Sequence, residues 1–147
     1  MAKVIKSKLI HEKTIQYEDG ESIFEEGDTS RDLFIIQEGK AEIWKKTDVG
    51  PLKLVTFERG EFFGDMALLQ GGHRFASAKA VGTTKLLVLQ PGGFLLKIRR
   101  DPTFAFEMLQ ALSLRIKISN ERIIDLIKQG NIPKEKVDEI LAAISGR

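Results

Sequence analysis

Between Lys13 and Gln90 the chain is interrupted by glycine roughly every ten residues, a spacing that admits short strands but no helix of ordinary length. The breaks fall at Glu18-Asp19-Gly20, Glu26-Gly27-Asp28, Glu38-Gly39-Lys40, Val49-Gly50-Pro51, Arg59-Gly60-Glu61, Gly71-Gly72, Val81-Gly82 and Pro91-Gly92. Glycine enters the positive φ of a tight turn without a Cβ clash, so each break predicts a reversal of the chain. Some intervening runs alternate apolar and polar residues, as in Ala41-Glu42-Ile43-Trp44-Lys45. Others are apolar throughout, as in Leu33-Phe34-Ile35-Ile36 and Leu86-Leu87-Val88-Leu89. A rolled antiparallel sheet with a filled interior accommodates both patterns.

After Gly93 the period changes. Ala105, Leu109, Leu112, Ile116, Ser119, Ile123 and Leu126 recur at spacings of 4 and 3, a heptad seam on one long helix. Phe104, Met108, Ile118, Ile124 and Ile127 add apolar surface off that seam. Two readings stay open: a homodimer joined through residues 103–129, or one wide stripe turned to the chain's own core. Gly130 ends the helix, and Pro133 starts a short final one with Val137, Ile140, Leu141 and Ile144 on one face. With 147 residues the chain suits one domain with appendages: a β-roll over 1–100, the long helix over 101–130 and the short helix over 131–147.

Composition narrows the chemistry. The absence of cysteine excludes disulfides, thiolate catalysis and Cys-ligated metal. A net charge of +2, from 23 basic and 21 acidic side chains, supplies no field for nucleic acid or an anionic membrane. No apolar run approaches the roughly 20 residues that span a bilayer. The basic start Met1-Ala2-Lys3-Val4-Ile5-Lys6 leads into polar Ser7-Lys8 instead of a signal-peptide core. These features predict a soluble, cytoplasmic protein with neither DNA nor membrane as partner. His11 and His73 are the two histidines and form no His-x-His pair, which disfavours both a cupin-type metal centre and haem ligation. No nucleophile and base stand together, so a binding protein is expected and not an enzyme, with no cofactor or metal.

The chemistry concentrates in Phe62-Phe63-Gly64-Asp65-Met66-Ala67-Leu68-Leu69-Gln70-Gly71-Gly72-His73-Arg74-Phe75-Ala76-Ser77. A carboxylate and an arginine flank a Gly-rich connection. Small residues beside both charges (Gly64, Ala67, Ala76) let backbone N–H groups approach an anion closely. The planar arginine fork donates parallel bonds to two phosphate oxygens, whereas a carboxylate repels phosphate and suits hydroxyl groups. Phosphate beside hydroxyls describes a sugar phosphate or nucleotide. On spacing alone, an Asp65–Arg74 surface ion pair next to an ordinary turn explains the same residues equally well.

Gly64-Asp65-Met66-Ala67-Leu68 followed by Arg74-Phe75-Ala76-Ser77 resembles the phosphate-binding cassette of the cyclic-nucleotide-binding domains found in catabolite-activator-type regulators, regulatory subunits of cAMP-dependent kinase and nucleotide-gated channels. Ile23-Phe24-Glu25-Glu26-Gly27-Asp28, Leu33-Phe34-Ile35-Ile36-Gln37-Glu38-Gly39 and Arg59-Gly60-Glu61-Phe62-Phe63-Gly64 are similar to that family's glycine-punctuated strands, in order and distance. The resemblance implies a mainly β fold with helices: an eight-stranded antiparallel jelly-roll β-roll with a long C-terminal helix over the pocket mouth and a short final helix. It implies that Arg74 pairs with the cyclic phosphate and Asp65 accepts from the ribose 2′-hydroxyl. Gly64, Met66, Ala67, Phe75, Ala76 and Ser77 would complete the cassette, and Ser119 and Asn120 on the long helix would reach the base.

Three positions depart from the family pattern: Asp65 stands in place of Glu, His73 in place of Pro, and Phe75 in place of Ala, Ser or Thr. A Thr after the arginine accompanies guanine preference in the family, so Phe75 points to cAMP as ligand, with cGMP or another cyclic nucleotide as alternatives. The competing reading is a degenerate β-roll serving as a ligand-free dimerisation or scaffold module. Only 17 residues follow Gly130, and residues 101–147 carry seven basic and seven acidic side chains, so no DNA-binding domain is expected.

Overall fold

The computed structural model describes residues 2–9 and 12–146, with the backbone alone for residues 5–9. His11 lies outside the described residues. The strands are β1 (Lys3–Leu9), β2 (Glu12–Tyr17), β3 (Ser22–Phe24), β4 (Leu33–Thr47), β5 (Gly50–Phe57), β6 (Phe62–Phe63) and β7 (Ser77–Leu89). All pairings are antiparallel, in the order β1-β2-β7-β4-β5, with β3 on β7 and β6 on β4. The expected roll is thus realised, with seven continuous strands among the described residues, and the reversals predicted at Gly39 and Gly82 do not form. Gly39 and Gly82 lie inside β4 and β7 and bend them. Glu38 faces Lys85 and Lys40 faces Val81, so two extra residues of β7 bulge at this corner. A Cβ on Gly39, at φ 81°, would stand 2.5 Å from the Thr83 carbonyl. The bend is sealed by the fully buried Thr84, whose hydroxyl donates to the Lys40 carbonyl at 3.0 Å.

The interior follows the two-residue period of the strands. Ala78 and Ala80 point inward around the exposed Lys79, and Leu86 and Val88 point inward around Leu87. They enclose Tyr17, Phe24, Phe34, Ile36, Ala41 and Phe63 in one cluster. Phe34 and Phe63 stack with centroids 5.2 Å apart, and Phe57 stacks on Phe63 at 6.0 Å. The small Ala41, Ala78 and Ala80 make room for these rings. Burial of each ring contributes about 1.5–3 kcal/mol.

Three predicted turns share one construction. In Glu18–Glu21, Glu25–Asp28 and Glu58–Glu61, the first backbone N–H donates to the carboxylate of the fourth residue, at 3.0, 2.9 and 3.0 Å. The fourth N–H returns to the first carbonyl at 3.1, 3.0 and 3.0 Å. The third residue is glycine at φ 78°, 91° and 86°, the positive value a type II turn requires. Each turn then grips one residue of a neighbouring segment by its backbone. Gly20 N–H donates to Ala80, whose N–H donates to Glu21; Gly60 and Glu61 hold Ile36 likewise; Gly27 and Asp28 hold Arg74.

Among the described residues there are four helices: α1 (Asp65–Gln70), α2 (Pro91–Arg100), α3 (Pro102–Lys128) and α4 (Lys134–Ile144). The glycine pair after Pro91 hides α2 from a propensity reading; it forms with Pro91 at its start and Gly93 and Phe94 buried. The Asp101 carboxylate caps α3 by accepting from Phe104 N–H at 3.1 Å, with Pro102 in the first turn. The chain divides into two compact units, Met1–Arg99 and Arg100–Arg147. On α3 the seam residues Leu109, Ile116 and Leu126 are 65%, 62% and 54% exposed. Among the described residues no helix is long and apolar enough to cross a membrane.

Candidate cyclic-nucleotide site

Arg74 is delivered by the turn that holds its backbone. Gly27 N–H donates to the Arg74 carbonyl at 2.9 Å and Arg74 N–H donates to Asp28 at 2.7 Å, so the main chain is clamped on both sides. The side chain is 3% exposed. Its guanidinium lies 4.2 Å over the Phe24 ring and 5.7 Å from that of Phe34. Nε donates to Ser30 Oγ at 3.2 Å, Nη1 to the Gly64 carbonyl at 3.0 Å and Nη2 to the Asp32 carbonyl at 2.8 Å. Three of five N–H groups are thereby used, leaving one on each terminal nitrogen for a two-oxygen acceptor.

Burial pushes the Arg74 pKa down, opposed by the carboxylates of Asp32, Asp28 and Asp65. The groups that bond to the buried charge are a hydroxyl, two carbonyl dipoles and a ring face. Asp32 accepts through its main chain, and burial raises the pKa of its own carboxyl against the pull of Lys13 and Arg74.

The cassette closes on this arginine because Gly64 has no side chain. At φ 85°, a Cβ there would stand 2.8 Å from the Asp32 carbonyl and 3.0 Å from Arg74 Nη1. Gly64 ends β6 and precedes α1, which places Asp65, half-buried, in the first turn and within electrostatic reach of Arg74. Met66 is exposed; Ala67 and Leu68 are buried. Arg31 donates to the carbonyls of Ala67 and Leu68 at 3.1 and 2.8 Å and so fixes the far end of the short helix.

Residues 14–101 match the model of the cyclic nucleotide-binding domain. The chain belongs to this family. It is 37% identical over 103 residues to the cyclic AMP receptor protein of Thermus thermophilus, covering 69% of this chain and 47% of that protein. It is 39% identical over 80 residues to a cAMP-dependent protein kinase regulatory subunit of Aspergillus fumigatus, covering 54% of this chain and 19% of that one. The crystal structure of the Thermus thermophilus catabolite activator protein superposes with a TM-score of 0.71 at 33% identity, covering 80% of this chain and 55% of that chain. The chain therefore spans about half the length of the Thermus thermophilus protein and about a fifth of the kinase regulatory subunit.

Within the family cassette, in the first unit, Arg74 bonds the Gly64 carbonyl, and Asp65 stands within electrostatic reach of it. Phe75 turns outward while Ala76 and Ser77 turn in. The Ser77 hydroxyl accepts from Glu26 N–H at 2.8 Å and donates to Glu25 at 3.2 Å, so it serves the roll. His73, at the position of the family's proline, is exposed, and its Nδ1 donates to the Gly27 carbonyl at 2.9 Å. Ser119, exposed, and Asn120, half-buried, belong to the second unit. Sequence reasoning missed Ser30, Asp32 and Arg31, which follow the turn at Glu25–Asp28 as a polar run ahead of Leu33-Phe34. It also missed Lys45, which meets Phe75 from β4. Among the described residues no group of three or more His, Cys, Asp or Glu could hold a metal ion.

Proposed function

We propose that the chain is a cytoplasmic cyclic-nucleotide sensor that prefers cAMP and regulates a partner without catalysing a reaction. The carrying observation is Arg74: a 3% exposed cation clamped at its backbone, whose bonds go to one hydroxyl and two carbonyls and leave, among the described residues, one N–H on each terminal nitrogen uncommitted. A buried charge is stable only when compensated, and a bidentate phosphate is the complement of such a fork. The ligand-free scaffold reading accounts for the three bonds that Arg74 makes and gives no purpose to the two N–H groups left over. In this reading Asp65 accepts from the ribose 2′-hydroxyl, the phosphate being excluded from it by charge. The relatives' names, a cyclic AMP receptor and a cAMP-dependent regulatory subunit, favour the same ligand.

Preference for cAMP follows from acceptors on α3, where Ser119 Oγ or the Asn120 amide oxygen takes the adenine 6-amino group. One neutral bond is worth about 0.5–1.5 kcal/mol, or about two- to tenfold in affinity. A homodimer through residues 103–129 would cover Leu109, Ile116 and Leu126 and is read by light scattering at tens of micromolar; a monomer there refutes it. A thermal-shift screen with cAMP, cGMP and cyclic dinucleotides tests the ligand, since anything bound only by the native state raises the melting point. The expected order is cAMP above cGMP, and no shift with any cyclic nucleotide refutes the proposal.

A further inference from the structure

The turn that clamps Arg74 differs from its counterpart at Glu18–Glu21 in how its second residue reaches the gripped segment. Asp19 accepts directly from Gly82 N–H at 2.7 Å, two residues beyond the gripped Ala80. Glu26, the matching residue, meets the segment after Arg74 at the Phe75 carbonyl. A carboxylate and a carbonyl are both acceptors, so only a donor set between them can join them. Lys45 of β4 is that donor: its ammonium pairs with the Glu26 carboxylate and donates to the Phe75 carbonyl at 2.9 Å. The main chain about Arg74 is thereby held at three groups. Its N–H goes to Asp28 and its carbonyl to Gly27, both in the turn, and the next carbonyl goes to Lys45, on a different strand. Glu26 is fixed in turn, its N–H donating to Ser77 Oγ at 2.8 Å.

We infer that Lys45 is a positioning residue of the anion site: by joining Glu26 to the Phe75 carbonyl, it holds the main chain of Arg74 against its turn. The inference rests on the proposed phosphate site at Arg74 and concerns how that site is kept in place; Lys45 acts through Arg74 and not on the ligand. Without the ammonium, the Glu26 carboxylate and the Phe75 carbonyl face each other as two acceptors and push the segment off the turn. An arginine on a loosened segment has to be ordered when phosphate binds, and that ordering weakens the complex. Glu26 separates this role from simple charge attraction. Coulomb's law alone makes an acidic residue near the site unfavourable for phosphate, so its neutralisation would strengthen binding. A carboxylate that anchors the bridge has the opposite sign, because a charge-assisted bond to Lys45 is stronger than a neutral one.

The test is a calorimetric titration of the full chain with cAMP near pH 7, with melting curves on each variant so that affinities are compared between folded proteins. Lys45→Met should weaken cAMP about threefold to tenfold. Lys45→Arg, which keeps a cation with several donors, should retain binding. Glu26→Gln should also weaken cAMP, by less than Lys45→Met does. The Lys45→Met, Glu26→Gln double variant should bind no more weakly than Lys45→Met alone, because both changes cut one bridge. Equal cAMP affinity in wild type and Lys45→Met, whatever their melting points, would reduce the bridge to a structural contact and overturn the inference while the phosphate site stands. Weak binding by Lys45→Met beside undiminished or tighter binding by Glu26→Gln would show that the ammonium attracts phosphate directly, and would overturn the positioning role. Failure of the wild type to bind cAMP would overturn the phosphate site and the inference together.

Discussion

Two turns of the roll are built alike and hold opposite cargo. Glu58–Glu61 grips the backbone of Ile36, a core residue, and Glu25–Asp28 grips that of Arg74, a buried cation. The carboxylate bond, the glycine and the paired backbone contacts correspond one to one. The difference lies wholly in the gripped side chain: Ile36 is satisfied by apolar contact, and Arg74 retains a charge that contact alone cannot satisfy. The site thus uses the ordinary construction of the fold to set an arginine before any ligand arrives. Association then spends little on ordering the group that binds.

Exchanging the cargo breaks the comparison most severely. Ile36→Ala removes a side chain that is fully buried, and should cost about 2–5 kcal/mol in chemical denaturation with little direct effect on the site. Arg74→Leu should cost a comparable amount, because leucine fits against Phe24 while the Gly64 and Asp32 carbonyls each lose a donor, about 1–3 kcal/mol for each group so orphaned. Loss of nucleotide binding in Arg74→Leu, with binding retained by folded Ile36→Ala, is the expected signature; equal loss of binding in the two variants would break the account.

Exchanging the turn glycines sharpens it. No atom lies within 4 Å of a Cβ built on Gly27 or on Gly60, so alanine at either site meets only the strain of positive φ. Gly27→Ala and Gly60→Ala should each lose about 1–2 kcal/mol, and Gly27→Ala alone should also weaken cAMP. Equal cAMP affinity in the two variants would show that the clamp does not position Arg74.

The smallest effect is acid-dependent. Bonding to Lys45 holds the Glu26 carboxyl below its ordinary pKa of 4.5. A depressed folded-state pKa stabilises above the unfolded value, and that contribution is lost as pH falls through the folded one. Glu26→Gln should therefore flatten a slight loss of stability below about pH 4.5, measured by melting across that range. An unchanged acid profile would show that the pair contributes nothing.

The turns were legible because Gly20, Gly27 and Gly60 each precede an acidic residue, a pattern with a mechanism. The long helix was legible from the heptad spacing after Ala105. Gly39 and Gly82 misled, because a glycine that permits close approach reads the same as one that permits a reversal. The residues around Arg74 were harder. Its acceptors are carbonyls of Gly64 and Asp32, groups every residue carries, so their role depends on register and not on side-chain identity. Lys45 and Phe75 are joined by the roll across 30 positions of sequence, beyond the reach of local pattern.

The central claim, that Arg74 is the anchor for a cyclic phosphate, is tested most directly by titrating cAMP into wild type and Arg74→Leu in a calorimeter, with melting curves to confirm that both are folded. Saturable binding at one site per chain by the wild type and none by folded Arg74→Leu is the predicted result. Equal binding by the two proteins, or no binding by the wild type, would contradict it.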